Sequence, residues 1–376
     1  MTSLVAFDAR RCIPQGTGVA AYVAELLTAL LEIAGTAVLV VGNAHTRELL
    51  GRDRRLQAPA GHLTAPCSPE SHPWSELWEL LHLRPELRRR ECALFHSPAF
   101  VLPPLPAGVR TVVTIHDLAV FQVPDCFPRR FAAYLRHCIR RSVSRADLVF
   151  ADTEAVAGEL RDRLAVPASR IAVAACGVPE IAVPTAAEVA ATRAQLRLPE
   201  RYVLHVGTIE RRKNLVRLLQ AVKELRARGW DGAVVLAGAD GVGARDVRAA
   251  ARALDGAAIF PGYVDRIALA VLYQGCACVV LPSVYEGFGL PLLEAFAMGA
   301  PVCASAIPAF REVAGDAAAF FPPDSAAAMA SVLSEVLARD VLRKELSGAG
   351  CRRLRHFSWR ATAARVHAGY EQLLKP

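Results

Sequence analysis

The sequence predicts an α/β protein of two domains, each a parallel sheet with helices on its faces. Three observations predict it. Short β-branched runs alternate with helical patterns along nearly the whole chain, the pattern of parallel strands joined by crossover helices. The alternation falls into two series separated by a proline-bracketed stretch. A chain of 376 residues also exceeds what one ordinary core organises, so two lobes are expected, each burying its own.

In the first series, residues 4–7, 37–41, 109–115 and 148–151 read as strands and 19–33 as a helix. Two segments between them, 52–73 and 98–108, are rich in turn residues and read as loops; the second carries four prolines. Loops of that length are usually functional or mobile. The second series reads as strands at 202–206, 233–237, 257–260, 278–281 and 301–304, again with helical patterns between them. Pro179, Pro184 and Pro199 bracket an alanine-rich junction, giving domains at 1–178 and 179–356. The tail, 357–376, has helical periodicity over 359–374 and could pack across either lobe, one option being to cross back to the first domain.

Residues 1–8 lack the basic start and small-residue cleavage site of an export signal, and no apolar run reaches the roughly 18 residues a spanning helix needs. Ten cysteines are scattered without paired CxxC motifs, so buried free thiols in a reducing cytoplasm are expected rather than a metal or redox centre. Cys276 and Cys278 lie in one apolar run and are expected on one face of a strand. A net charge of +8 points to an anionic partner. Much of it lies in Arg129–Arg145, which has six arginines and no acid, with Phe131, Tyr134, Leu135, Cys138, Ile139 and Val143 at helical spacing. This basic amphipathic helix either packs one face on its own domain or docks on an anionic membrane. Nucleic acid is disfavoured, because no aromatic platform accompanies the arginines.

The richest stretch for chemistry is 280–301, VLPSVYEGFGLPLLEAFAMGAP. It reads as a strand end, a turn over Glu286, Gly287, Phe288, Gly289 and Leu290, and a helix opening at Pro291. A helix N-terminus offers unpaired N–H groups to phosphate, and the two glycines let a ligand approach the backbone. Glu286 before the helix and Glu294 in its first turn can accept hydrogen bonds from vicinal hydroxyls, or can simply favour the helix start. In VGTIERRKNL a strand ends at Gly207, and Arg212 and Lys213 follow where an open α/β sheet has its ligand crevice. They can neutralise a diphosphate, or lie in a solvated loop. Near the start, QGTGVAAY supplies Gly16, Gly18 and Ala21, a weak match to the dinucleotide fingerprint because it trails its strand by a long loop. His116 closes the strand 112–115, where a structural role is commoner than a catalytic one.

Together these segments resemble the retaining glycosyltransferases of the GT-B fold, family 4 type, over nearly the whole chain. The resemblance rests on GTGVAAY, TIHDL, SRADLVFADTEA, VLHVGTIERRKNL and PGYVDRIALAVLYQGCACVVLPSVYEGFGLPLLEAFAMGAPV, the last with paired glutamates eight positions apart. It implies two Rossmann-like domains facing each other across a cleft. Glu294 would hold the ribose and Glu286 with Gly287, Phe288, Gly289 and Leu290 the donor sugar. Arg212, Lys213 and Gly207 would hold the diphosphate, with Gly16 or Gly18 approaching it from the first domain. His116 would sit near the anomeric carbon, and Tyr263 and Val264 near the base. Thr208 departs from the pattern, since some members carry arginine after this glycine.

The resemblance further implies metal-independent transfer with net retention and no cofactor. The donor would be a nucleotide diphosphate sugar, GDP-mannose ahead of UDP-glucose, and the acceptor a saccharide or a lipid-linked intermediate. The enzyme would be cytoplasmic, or peripheral at the inner face of the membrane. Two other readings are a catalytically degenerate partner subunit and a nicotinamide-dependent oxidoreductase. A glycoside hydrolase is disfavoured, since it needs carboxylates on both sides of the scissile bond.

Overall fold

A computed structural model of the chain describes residues 3–13, 18–33, 37–52, 60–65, 77–178 and 181–375. The chain divides into two compact units, one of Met1–Leu118, Arg130–Gly177 and Phe357–Pro376, the other of Ala119–Arg129 and Val178–His356.

The first unit is built on β1 (Leu4–Asp8), β2 (Ala37–Gly42), β3 (Gly61–Thr64), β4 (Leu94–Ser97), β5 (Arg110–Ile115), β6 (Leu148–Ala151) and β7 (Ile171–Val173). All pair in parallel, in the order β3-β2-β1-β4-β5-β6-β7. β1, β2 and β6 are near-continuous apolar runs because helices cover both faces of such a sheet. The helix Trp359–Leu374 belongs to this unit, and Thr362 Oγ1 donates to the Ala175 carbonyl at 2.6 Å. Buried His96 ties β4 to that helix and to β5, with Nδ1 2.6 Å from Tyr370 Oη and Nε2 2.9 Å from Thr114 Oγ1. Burial, then the charge of His116, pushes its pKa down to about 3, so it serves as a neutral donor and acceptor.

The second unit is built on β8 (Tyr202–Val206), β9 (Ala233–Ala237), β10 (Ala258–Gly262), β11 (Cys278–Leu281), β12 (Val302–Ser305) and β13 (Ala318–Phe321). These are also parallel, in the order β10-β9-β8-β11-β12-β13. The helix Leu215–Ala227 buries Leu218, Leu219, Val222 and Leu225 at i, i+3 and i+4 spacing in a core with Val234, Leu236, Val280, Met329 and Leu333. The strand order reverses between β8 and β11, so the loops leaving their carboxyl ends diverge and open a crevice.

Several elements differ from the sequence expectation. β3 lies inside 52–73, read as loop, and β4, β7 and β13 were not anticipated. Cys276 is off the strand: it ends the helix Arg266–Gly275, and pairing starts only after Ala277 donates to the Tyr202 carbonyl at 2.8 Å. The junction contains a helix, Ala186–Gln195, opened by a capping box of Thr185 and Glu188. In the helix Arg129–Arg145, Ala132, Ile139, Ser142 and Val143 are buried, whereas Phe131 and Tyr134 are exposed. Of the described cysteines, all free, Cys126, Cys138 and Cys276 are only partly buried and Cys351 is exposed.

Candidate functional site

The loops leaving β8 and β11 bring the sequence-predicted cations and the first glutamate together. After β8 the chain turns at Gly207, whose φ of 145° favours glycine. A single 3₁₀ turn, Arg211–Lys213, then leads to Asn214 in the left-handed conformation (φ 58°), which opens the helix Leu215–Ala227. The Asn214 amide donates to the carbonyls of Pro282 (3.0 Å) and Pro323 (2.8 Å), fixing this loop against the ends of β11 and β13. After β11 the loop runs to Gly289 (φ 101°), where a Cβ would meet Phe310 at 2.5 Å. The helix Leu290–Ala297 follows, with Pro291 in its first turn.

Glu286 is the hub. Its Oε1 accepts from Lys213 Nζ and from Ser283 Oγ, each at 2.6 Å, and its Oε2 accepts from Arg212 Nη1 at 2.6 Å. The Glu286 side chain is 9% exposed, and those of Arg212 and Lys213 are 16% and 13%. Burial alone would raise the Glu286 pKa. The Arg212 and Lys213 charges, with hydrogen bonds from Lys213 and Ser283, outweigh it and hold the carboxyl at about 2. Arg212 is bound on its other edge by Glu210 Oε1, at 2.9 and 3.2 Å, and donates to the Tyr285 carbonyl. The cluster therefore presents two cations already oriented by carboxylates, which suits a multiply charged phosphate and a hydroxylated ring.

Glu294 behaves differently. It is the fifth residue of its helix, which starts at Leu290, and so lies beyond the first turn expected from the sequence. Its Oε2 accepts from Tyr273 Oη at 2.7 Å. Burial raises its pKa above the ordinary carboxylate value, against the Tyr273 hydrogen bond and the Arg266 charge. Tyr263, 54% exposed, and half-buried Val264 follow β10 and precede the helix Arg266–Gly275, which Asp265 caps. Gly287 and Phe288 are buried, while Gly289 and Leu290 are partly so.

In the first unit, Gly18 opens the helix Gly18–Leu31, while Gly16 lies outside the described residues. His116 follows β5 and is 7% exposed. Its Nδ1 is 2.8 Å from Asp152 Oδ2 and its Nε2 2.8 Å from the Pro98 carbonyl. The rings of Tyr22 and Phe100 meet it edge-on at 4.5 and 5.3 Å. Both partners are acceptors, so both ring nitrogens donate. Burial would lower the His116 pKa, but the charge and hydrogen bond of Asp152 and the bond to Pro98 outweigh it and raise it above the ordinary value. Both nitrogens are engaged, so a substrate contact through either one requires one of these bonds to open.

The sequence reading missed Ser283, Glu210, Tyr273 and His205. Ser283 stands three residues before Glu286, and Glu210 two before Arg212, so local spacing was a usable signal for both. Tyr273 and His205 carried no such mark. Among the described residues no group of three metal-binding side chains occurs, and no helix is long and apolar enough to cross a membrane.

Comparison with known proteins gives the family and the fold. The family model "Glycosyltransferase Family 4" matches residues 16–180 and "Glycosyl transferases group 1" residues 189–353. The chain is 29% identical to the O-antigen chain mannosyltransferase B of Escherichia coli, over 79% of this chain and 80% of that one. Among solved structures, sucrose-phosphate synthase of Thermosynechococcus elongatus superposes with a TM-score of 0.77 at 23% identity, covering 99% of each chain. The Anabaena protein HepE, in complex with UDP and glucose, superposes with a TM-score of 0.71 at 17% identity, covering 98% of this chain and 100% of that one. Two parallel sheets of this order and two family models that together span most of the sequence give one conclusion: the chain belongs to the GT-B glycosyltransferases of the group 1, family 4 type.

Proposed function

We propose that the chain is a metal-independent retaining hexosyltransferase using a nucleotide diphosphate sugar. The observation that carries this reading is the convergence of Arg212 and Lys213 on Glu286, at 2.6 Å each, where the strand order reverses between β8 and β11. In the proposed complex the two cations, with the Gly207 turn, hold the diphosphate. Glu286 with Gly287, Phe288, Gly289 and Leu290 holds the sugar, Glu294 the ribose hydroxyls, and Tyr263 and Val264 the base. As the donor bond breaks, negative charge grows on the leaving diphosphate, and preorganised cations stabilise that charge more than they stabilise the intact donor. The leaving diphosphate accepts the acceptor's proton on the same face, which gives retention.

The kinship with an O-antigen mannosyltransferase favours GDP-mannose, and the UDP and glucose of HepE make UDP-glucose the second donor to test. The acceptor is a saccharide or lipid-linked oligosaccharide, met on the cytoplasmic side of the membrane. The helix Arg129–Arg145 supports that location: Phe131 and Tyr134, 48% and 47% exposed, stand among exposed arginines, a composition suited to an anionic interface. Sedimentation with anionic but not neutral vesicles, reduced by Phe131→Ser with Tyr134→Ser, is the expected result; equal sedimentation refutes the membrane role.

The direct test is thermal shift against GDP, UDP, ADP and dTDP. One diphosphate raises the melting temperature and Glu294→Ala removes the rise. A folded protein with no shift for any of them refutes the donor site and favours a degenerate subunit.

A further inference from the structure

His205, one residue before the end of β8, is 1% exposed. Its Nδ1 lies 3.0 Å from the Val280 carbonyl, an acceptor, so Nδ1 carries the proton and Nε2 has a lone pair. Nε2 is buried and has no hydrogen-bond partner among the described residues. Burial, then the Lys213 charge, lowers the pKa of the ring to about 4, so the lone pair is present at neutral pH. This orphan acceptor borders the cation cluster: Nε2 lies 3.5 Å, and Lys213 Cε and Nζ 3.5 and 3.8 Å, from the point where a Cβ on Gly207 would stand. Glycine at 207 leaves open the space between imidazole and ammonium.

Glu286 supplies the reason for a second acceptor. Each carboxylate oxygen offers about two lone-pair positions, and Oε1 already accepts from both Lys213 and Ser283. Vicinal hydroxyls that bridge both oxygens need a position on Oε1, so one of these donors must leave. Ser283 is held by a short side chain three residues away, whereas Lys213 ends a flexible four-carbon stem. We propose that His205 is a positioning residue for Lys213: when Glu286 takes up the donor sugar, the ammonium passes from Glu286 Oε1 to His205 Nε2. A neutral acceptor orients the ammonium without cancelling its charge, so Lys213 then faces the diphosphate as a full cation.

This inference rests on the proposed donor site and has its own signature. Without the sugar, Glu286 keeps Lys213 and His205 is idle; with the sugar, His205 is needed. His205→Asn keeps an N–H for the Val280 carbonyl but has nothing at the Nε2 position, whereas His205→Gln places an amide oxygen there. Calorimetry with GDP-mannose against GDP, and with UDP-glucose against UDP, reads the difference. We expect His205→Asn to weaken the sugar nucleotide about tenfold, the size of one hydrogen bond to a charged group. The parent diphosphate should change less than about twofold, and His205→Gln should restore the sugar nucleotide. In a Lys213→Met background, His205→Asn should change neither. Equal weakening of both ligands, no weakening of either, or persistence of the effect without Lys213 overturns the role of His205 alone. Failure of the wild type to bind either sugar nucleotide overturns the donor site, and this inference with it.

Discussion

Replacing Glu286 with Gln should destabilise the second unit by an amount that depends on pH. A carboxyl whose pKa falls from an ordinary 4.5 to about 2 on folding contributes about 3 kcal/mol to stability at neutral pH. Because the folded-state value is depressed, this contribution is complete above about pH 4.5 and is lost as pH falls through about 2. At pH 3 about 1.5 kcal/mol of it remains. The gap between wild type and Glu286→Gln should therefore be about 3 kcal/mol at pH 7 and roughly halve by pH 3, since the amide takes the carboxylate from Lys213 and one of two carboxylates from Arg212, which keeps Glu210. Urea unfolding followed by fluorine NMR of 5-fluorotryptophan reads the second unit, in which Trp230 is the only tryptophan. A gap that is equal at the two pH values refutes the view that Glu286 is ionised and held by the two cations. So does a Gln variant more stable than wild type at pH 7.

Three further outcomes follow from the same geometry. Glu286→Ala should lower transfer at least about a hundredfold, with circular dichroism unchanged at neutral pH; near-normal turnover refutes its role at the donor. Asn214→Ala removes three side-chain hydrogen bonds, two to proline carbonyls and one from Arg217, and leaves a non-glycine residue without side-chain support in a left-handed turn, costing about 2–3 kcal/mol, read as a lower melting temperature; an unchanged one refutes the bracing role. Tyr273→Phe removes a hydrogen bond that lowers the Glu294 pKa, so that pKa rises. Nucleoside diphosphate affinity should then fall off at a higher pH on acidification, and identical pH profiles refute the coupling.

Much of this architecture was legible in the sequence because buried parallel strands are written as dense apolar runs. YVLHV, AVVLA and CVVL marked β8, β9 and β11 to the residue. The strands that escaped lack such a run or are very short. β3 reads GHLT, β4 reads LFHS around a buried histidine, β7 has three residues, and β13 is AAFF, half alanine. At the site, Arg212, Lys213 and Glu286 were each visible as chemistry beside a strand end. Their mutual pairing was not, because it spans more than seventy positions and depends on β8 and β11 being neighbours, a property of strand order rather than of local pattern. His205 escaped for the same reason: within YVLHV it reads as one more strand residue, and only the three-dimensional position of its Nε2 gives it meaning.

Both carbonyls that receive the Asn214 amide belong to prolines, Pro282 and Pro323, whose rings lock φ. The turn carrying Arg212 and Lys213 is thus braced between two residues that each have one backbone dihedral already fixed, so less conformational freedom remains to be lost when it orders. Tyr263 has no such brace among the described residues: it stands half exposed after β10, beyond β9 and two strands from the β8/β11 crevice. Substitutions at 263 and 264 can therefore drift with little effect on the fixed turn, so in the proposed donor complex the choice of base can change at the edge while the charged centre stays constant.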